Sequence, residues 1–267
     1  MKRMLDYYLA QMKVAIQSQF QYRVVHYFYM IGMIAEPVIY LVVWSTIARA
    51  QGGSVDGYTP GAFAAYYLVW TLVRNMNIVF TPYGWENRIR AGWLSMELLR
   101  PIHPLDSDVA YFAGMKVVVI ILWIPLGLLL SLFFKPELHP AWYQLIGFFF
   151  AIWGAYLIRT MLLSLLGMIT FFTTRVGAIF ELFFAAELVF SGRLVPMSLM
   201  PPVVQQVASY LPFEWTFFFP IEALVTPMSV IQLLSGLGMQ FLWIVLGWIA
   251  VKIARRFSIR QFSAVGG

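Results

Sequence analysis

Cysteine is absent from this 267-residue chain, and charged residues make up only 11% of it. The first absence excludes disulfides and thiol chemistry and leaves the compartment's redox state unreadable. The second stands beside 61% hydrophobic residues, against about 45–50% in an ordinary soluble domain. Too little polar surface remains to coat a soluble body of this size. No Gly-x-x-x-x-Gly-Lys-Ser/Thr phosphate loop occurs, so the chain is not expected to hydrolyse ATP in the P-loop manner. Its histidines are His26, His103 and His139. None has metal-site spacing or a nucleophile beside it, so no enzyme, metal or cofactor site is expected.

What is present is long apolar runs. A bilayer core about 30 Å thick takes about 20 apolar residues per helix, and six runs qualify: Tyr27–Ala48, Pro60–Thr81, Val109–Phe134, Trp142–Phe172, Val176–Ser191 and Val230–Ile253. The reading is an all-α integral membrane protein with six transmembrane helices. Its parts are a cytosolic interfacial (elbow) helix over residues 1–26, a six-span domain over 27–253, and a cytosolic tail over 254–267. The cations of "MKRMLDYYLAQMK" are not followed by a signal-peptide core, so this segment reads as retained.

The net charge of +6 is spread between apolar runs rather than clustered, which argues against a nucleic-acid partner. It fits the positive-inside bias instead. Lys2, Arg3, Lys13, Arg23, Arg88, Arg90, Arg100, Arg175, Lys252, Arg255, Arg256 and Arg260 fall on one side. Only Arg49, Lys135 and Arg193 fall on the other. Both termini are therefore expected in the cytosol. Leu5, Leu9, Met12, Ile16 and Phe20 recur at helical steps, as an amphipathic helix in the cytosolic interface would have them.

Between the second and third runs lies "WENRIRAGWLSMELLRPIHPLD", too long for a turn and too charged for a span. Ile89, Trp93, Met96 and Leu99 form one helical stripe, and Glu86, Arg90 and Glu97 another. Pro101 and Pro104 stop the helix, since neither has an amide hydrogen. The expectation is one short amphipathic helix, either a passive interfacial element or a rigid handle for a soluble partner. A second odd segment follows the fifth run: Pro196, Pro201, Pro202, Pro212, Pro220 and Pro227 interrupt an apolar stretch. Broken backbone at membrane depth needs protein or a water-filled cavity around it. A pair of short re-entrant helices over 196–227, hinged at Leu211–Pro212, satisfies that demand.

Glu36, Arg74, Asp108, Lys116, Arg159, Glu181 and Glu187 lie within or near spans, where each charge is costly. Arg74, Lys116 and Arg159 have the reach to snorkel to the inner interface. The carboxylates have less, and some are expected to pair between helices while others line a cavity open to the cytosol.

"IRAGWLSMELLRPIHP" resembles the cytosolic segment of permease subunits of type-2 ABC exporters, in the Gly-x-Leu-x-x-x-Leu-Leu-Arg-Pro pattern of Gly92, Leu94, Leu98, Leu99, Arg100 and Pro101. "FSGRLVPMSLMPPVVQQVASYLPFEWTFFFP" is similar to the family's Ser-Gly-x-x-x-Pro, Leu-Pro-Phe and later Pro. The resemblance implies a bacterial cytoplasmic-membrane permease with a coupling helix over 85–101 on which two ABC ATPase subunits, holding ATP and Mg, would dock. The docking residues it implies are Glu86, Arg88, Arg90, Gly92, Glu97, Leu98, Arg100 and Pro101. Glu36, Arg74, Arg159, Glu181 and Glu187 are expected along the substrate pathway, and Gly192, Pro196, Leu211, Pro212, Phe213 and Pro220 at an outer gate. A second permease copy or paralogue and membrane lipid complete the expected partners. The rival readings are an ion-coupled secondary transporter using the buried carboxylates and, more remotely, a membrane-embedded enzyme or assembly factor.

Overall fold

The computed structural model describes residues 2–32, 34–173 and 176–261. Arg175 and tail positions 262–267, both used in the expectations above, lie outside the described residues. So do the side chains of Lys2, Arg3, His26 and Arg260. Among the described residues the regular structure is helical, apart from an isolated bridge between Val55 and Tyr58. The first helices are α1 (Lys2–Gln21), α2 (Arg23–Gly32), α3 (Ala35–Ala50), α4 (Pro60–Met76), α5 (Pro82–Arg90) and α6 (Trp93–Leu98). They are followed by α7 (Pro104–Phe134), α8 (Trp142–Met168), α9 (Gly177–Phe190), α10 (Pro202–Ser209), α11 (Phe218–Val225) and α12 (Val230–Gln261).

Among the described residues, three stretches are long and apolar enough to cross a bilayer: Pro104–Phe134, Trp142–Phe171 and Val230–Ser258. The other expected spans are shorter. α3, α4 and α9 have 16, 17 and 14 residues, so each rises only about 21–26 Å at 1.5 Å per residue. The first apolar run is divided, since α2 ends at Gly32 and α3 starts at Ala35. The second stops at Met76 rather than Thr81, for a reason given by the buried charges below.

Side-chain contacts fix the helix directions. α3 and α4 run in opposite senses, with Trp44 stacked on Phe63, Tyr40 against Tyr67, and Glu36 paired with Arg74. α7 opposes α4, because Trp123 Nε1 donates to Thr71 Oγ1 while Lys116 Nζ donates to the Ile78 carbonyl. α9 opposes α8, since Arg159 holds Glu187 while Leu166, further along α8, clusters with Val176 and Phe180 at the start of α9. α12 lies along α8 in the same direction at seven-residue steps: Leu233 fills the notch at Gly147, Gln240 that at Gly154, and Met161 that at Gly247. Seven-residue repetition keeps one seam facing its partner, as in coiled coils. The start of α7 at Leu105 clusters with the end of α8 at Met168, and seven residues join their other ends, so the directions of α3, α4, α7, α8, α9 and α12 alternate along the chain. α4 is at the centre, with Phe63, Tyr66, Tyr67, Trp70, Val73 and Met76 all buried against Phe217 and Ile221.

α1 is bound more tightly than an interfacial float. Tyr7 and Ser107 hydroxyls are 2.5 Å apart, and Tyr8 donates to Asp106. A Cβ on Gly114 would come within 2.5 Å of the Met12 carbonyl oxygen, so the two backbones nearly touch, as small residues allow inside membranes. Ala15 and Gln19 are buried on that side, while Leu5 and Leu9 of the predicted apolar stripe point outward. Gly114→Leu is therefore expected to detach α1. Because the chain has no cysteine, an Ile16→Cys and Val118→Cys pair, two positions in one cluster, reports this directly. Its disulfide should form readily with Gly114 and fail with leucine; undiminished crosslinking would refute the close packing.

Candidate functional site

The segment after α4 is a helix–turn–helix rather than one helix. α5 begins at Pro82 with the Thr81 hydroxyl accepting from the Gly84 amide, an ordinary N-cap. It ends at Arg90, and Gly92 adopts φ 76 before α6 starts. That left-handed turn suits glycine, and it redirects α6 so that the predicted stripe splits. Ile89 turns inward and is buried, whereas Trp93, Met96 and Leu99 are 61%, 71% and 81% exposed. Arg90 and Arg100 flank them, also exposed, with Pro101 beyond. The result is an outward apolar knob with a basic rim.

Arg88, expected on the docking face, is instead the bolt that holds this segment. Its guanidinium donates to both Asp108 oxygens, at 2.9 and 3.0 Å, and approaches Glu97 to 3.0 Å. It also lies over the rings of Phe80 and Trp85. Glu97 is thereby engaged inward and Leu98 is half-buried, leaving Glu86 and Arg90 as the expected surface pair, 2.8 Å apart. A fork-on-carboxylate geometry with aromatic faces above it is what arginine supplies and lysine does not. Trp85 is buried against α8, seated where any Cβ on Gly167 would strike it at 2.6 Å. The segment is thus fixed both to the start of α7 and to the end of α8. Arg255 of α12 approaches Asp106 at the same end.

His103 opens α7, its Nδ1 accepting from the Leu105 amide. Burial, with the Arg255 and Arg88 cations nearby, pushes its pKa down to about 4. A histidine held below its unfolded value near 6.5 stabilises the fold only while neutral. That stability is complete above about pH 6.5 and is lost as pH falls toward 4. His103→Asn, which keeps an N-cap acceptor, is expected to flatten the difference in thermal stability over this window. Equal pH slopes for the two proteins would contradict the assignment.

The buried charges form a chain across four segments. Glu36 of α3 pairs with Arg74 of α4 at 2.6 Å and with Arg193, just after α9, at 3.8 Å. Arg193 reaches Glu187 at 3.3 Å, and Arg159 of α8 holds Glu187 through two bonds of 2.7 and 3.0 Å. The Glu187 side chain is fully buried. Arg159 of this charge chain and Lys116 of α7 also end α4. Its C-terminal carbonyls have no helical partners, and Arg159 donates to the Asn77 carbonyl while Lys116 donates to that of Ile78. Positive charge there also suits the helix dipole. This is why α4 stops short of Thr81, and why neither Lys116 nor Arg159 snorkels. Glu181 lies apart, exposed and accepting from the Tyr83 hydroxyl at 2.6 Å.

Loop position predicts Arg193 on the outer side. The turn before it carries it inward: Gly192 has φ 77, its carbonyl accepts from Tyr66, and the Leu194 carbonyl accepts from Tyr67. A side chain on Gly192 would meet Phe218 Cβ at 2.8 Å and Tyr66 Oη at 3.0 Å. The Ser-Gly-Arg motif is therefore a backbone device for returning an arginine to the interior.

Of the remaining expected gate residues, Pro196 leads a 3₁₀ turn and Leu211 and Pro212 lie in the break after α10. Phe213 packs edge-on against Phe183 at 5.3 Å. Pro220 is inside α11, which is buried. The two short helices differ in kind: α10 is mostly exposed, whereas α11 packs on α8 and α4. α11 is tied down by Gln144, whose Nε2 donates to the carbonyls of Ala223 and Thr226, and by the Tyr58 hydroxyl on Glu222.

Residues 34–266 match the family model described as ABC-2 family transporter protein. The match takes in α3 to α12 and leaves out α1 and α2. No curated protein is similar enough to count as a relative.

Proposed function

Since the chain belongs to the ABC-2 family of transporter proteins, we propose that it is the membrane-spanning subunit of an ATP-driven exporter that moves or flips an amphipathic substrate out of the cytosol. Separate ABC ATPase subunits supply the energy, in keeping with a chain that has no phosphate loop of its own. Two ATPases would serve a dimer of this chain or of this chain with a paralogue. The six helices of alternating direction are taken as six spans, with both termini and the α5–α6 end in the cytosol of a bacterium.

The observation that carries this reading is the way α5–α6 is mounted. Its exposed knob of Trp93, Met96 and Leu99 belongs to a unit clamped on α7 by Arg88 and on α8 by Trp85. Force applied to such a knob moves two long helices. Arg159 lies eight residues before Gly167, about 12 Å along α8, so movement of α8 also moves the charge chain. A secondary transporter using free carboxylates is less well supported, because Glu36 and Glu187 are both engaged by arginines.

The test is co-purification from the native host in mild detergent. A P-loop ATPase should accompany the tagged chain and be lost when Trp93, Met96 and Leu99 are all changed to serine. Retention of the ATPase by that variant would remove the knob from the docking surface.

A further inference from the structure

The charge chain is unbalanced, and its surplus faces a cavity. Arg74, Arg159 and Arg193 stand against two carboxylates, Glu36 and Glu187. A cavity of about 210 Å³ is walled by all three arginines, together with Tyr29, Phe184 and Phe217 among others. Neither carboxylate is among its described lining residues. The three cations thus share one cavity wall from which both acids are absent.

Arg193 carries the clearest unused capacity. Its Nε is buried and has no hydrogen-bond partner among the described residues, while its guanidinium lies 5.2 Å over Phe217 and 6.0 Å over Trp70. A buried donor without a partner costs free energy that an acceptor would recover. Forked guanidinium donors in a low-dielectric site suit phosphate or carboxylate oxygens.

The neighbouring space is of the opposite character. A second cavity, of about 300 Å³, shares Tyr29 and Ile78 with the first and is lined mainly by apolar side chains such as Val25, Met115, Val118 and Leu122, with Gln19 and Asn75 as its polar members. It lies among α2, α4 and α7, with the exposed Val25 in its wall. A cationic chamber thus adjoins an apolar one.

We propose that these joined chambers bind an anionic amphiphile, its phosphate or carboxylate headgroup against Arg74, Arg159 and Arg193 and its hydrocarbon in the apolar cavity. This deepens the transport reading and rests on it only for calling the amphiphile a substrate. Binding itself needs no ATPase, and ATPase co-purification is measured separately, so either claim can fail while the other stands.

The test is a binding titration of the purified full chain in maltoside micelles. The probes are dodecyl phosphate, the cation dodecyltrimethylammonium, and inorganic phosphate as a headgroup without a tail. Arg193→Gln leaves Glu187 with Arg159 and Glu36 with Arg74, so it removes the surplus charge without stranding an acid. Saturable binding of dodecyl phosphate is expected, weakened tenfold or more in R193Q and strengthened in Glu36→Gln, which enlarges the surplus. Equal binding of the cationic detergent, unchanged binding by R193Q, or weaker binding by E36Q would each overturn the proposal. Inorganic phosphate binding as tightly as dodecyl phosphate would overturn its amphiphilic half and assign the site to a soluble anion.

Discussion

Glu187→Ala should leave little folded protein in the membrane. Glu187 is fully buried and answers two arginines, with two bonds from Arg159 and one from Arg193. Removing one partner of a buried pair strands the other charge, which typically costs about 3–5 kcal/mol. That is a large part of the roughly 5–15 kcal/mol by which folded proteins are stable. Replacing both Glu187 and Arg159 by leucine should recover only part of the loss. Arg159 also caps the Asn77 carbonyl at the end of α4, and Arg193 would keep only its longer contact with Glu36. Thermal unfolding in detergent orders the proteins as wild type, double variant, single variant. A Glu187→Ala protein that melts with the wild type would show that the charge chain is not structural.

Arg88→Ala should release the α5–α6 unit and uncouple it. The substitution leaves Asp108 buried without its two guanidinium bonds and frees Glu97. It also removes the cation from the faces of Phe80 and Trp85. By the same reasoning about buried pairs, the loss is about 3–5 kcal/mol, concentrated where the segment meets α7. Hydrogen exchange over residues 82–98 should accelerate by orders of magnitude, and the ATPase should no longer co-purify. Arg90→Ala provides the contrast. Its pair with Glu86 is a surface i, i+4 contact on a half-exposed arginine, a class worth about 0.3–0.5 kcal/mol. Exchange should barely change there. If both substitutions act alike, Arg88 is not the bolt.

These two arginines, two residues apart, show how far the sequence could be read. Helical spacing correctly gave the Glu86–Arg90 pair, because both partners are on one helix. It could not identify Arg88 as buried, since its partner Asp108 is on another helix and only the fold brings them together. The single amphipathic stripe failed at Gly92. A glycine is compatible with a continuing helix, and its left-handed turn depends on Leu94 having a core to enter. Composition and run length made the helical membrane class plain. They overestimated α4, because apolar residues 78–81 look like more span, while the structure ends the helix with the side chains of Lys116 and Arg159.

The buried charges were legible as a group and not as a circuit. Their cost in lipid marks Glu36, Arg74, Arg159 and Glu187 from sequence alone, and these four do converge. Arg193 was missed because loop position places it outside. The available signal was the preceding Ser191-Gly192: a glycine directly before a lone arginine in an apolar run permits the sharp turn that folds it back. Glu181 was grouped with the others by its place in the fifth run, but it is a full turn and more from Glu187 and bonds Tyr83 instead.

The most direct measurement is photo-crosslinking in native membranes from a benzoylphenylalanine placed at Met96, on the exposed knob. The control position is Val203 of α10, equally exposed but away from the α5–α6 end. A crosslinked partner carrying the Gly-x-x-x-x-Gly-Lys-Ser/Thr loop should appear from position 96 and not from 203. Such a partner crosslinking from 203 and never from 96 would contradict the proposal that α5–α6 is the surface through which ATP hydrolysis drives this permease.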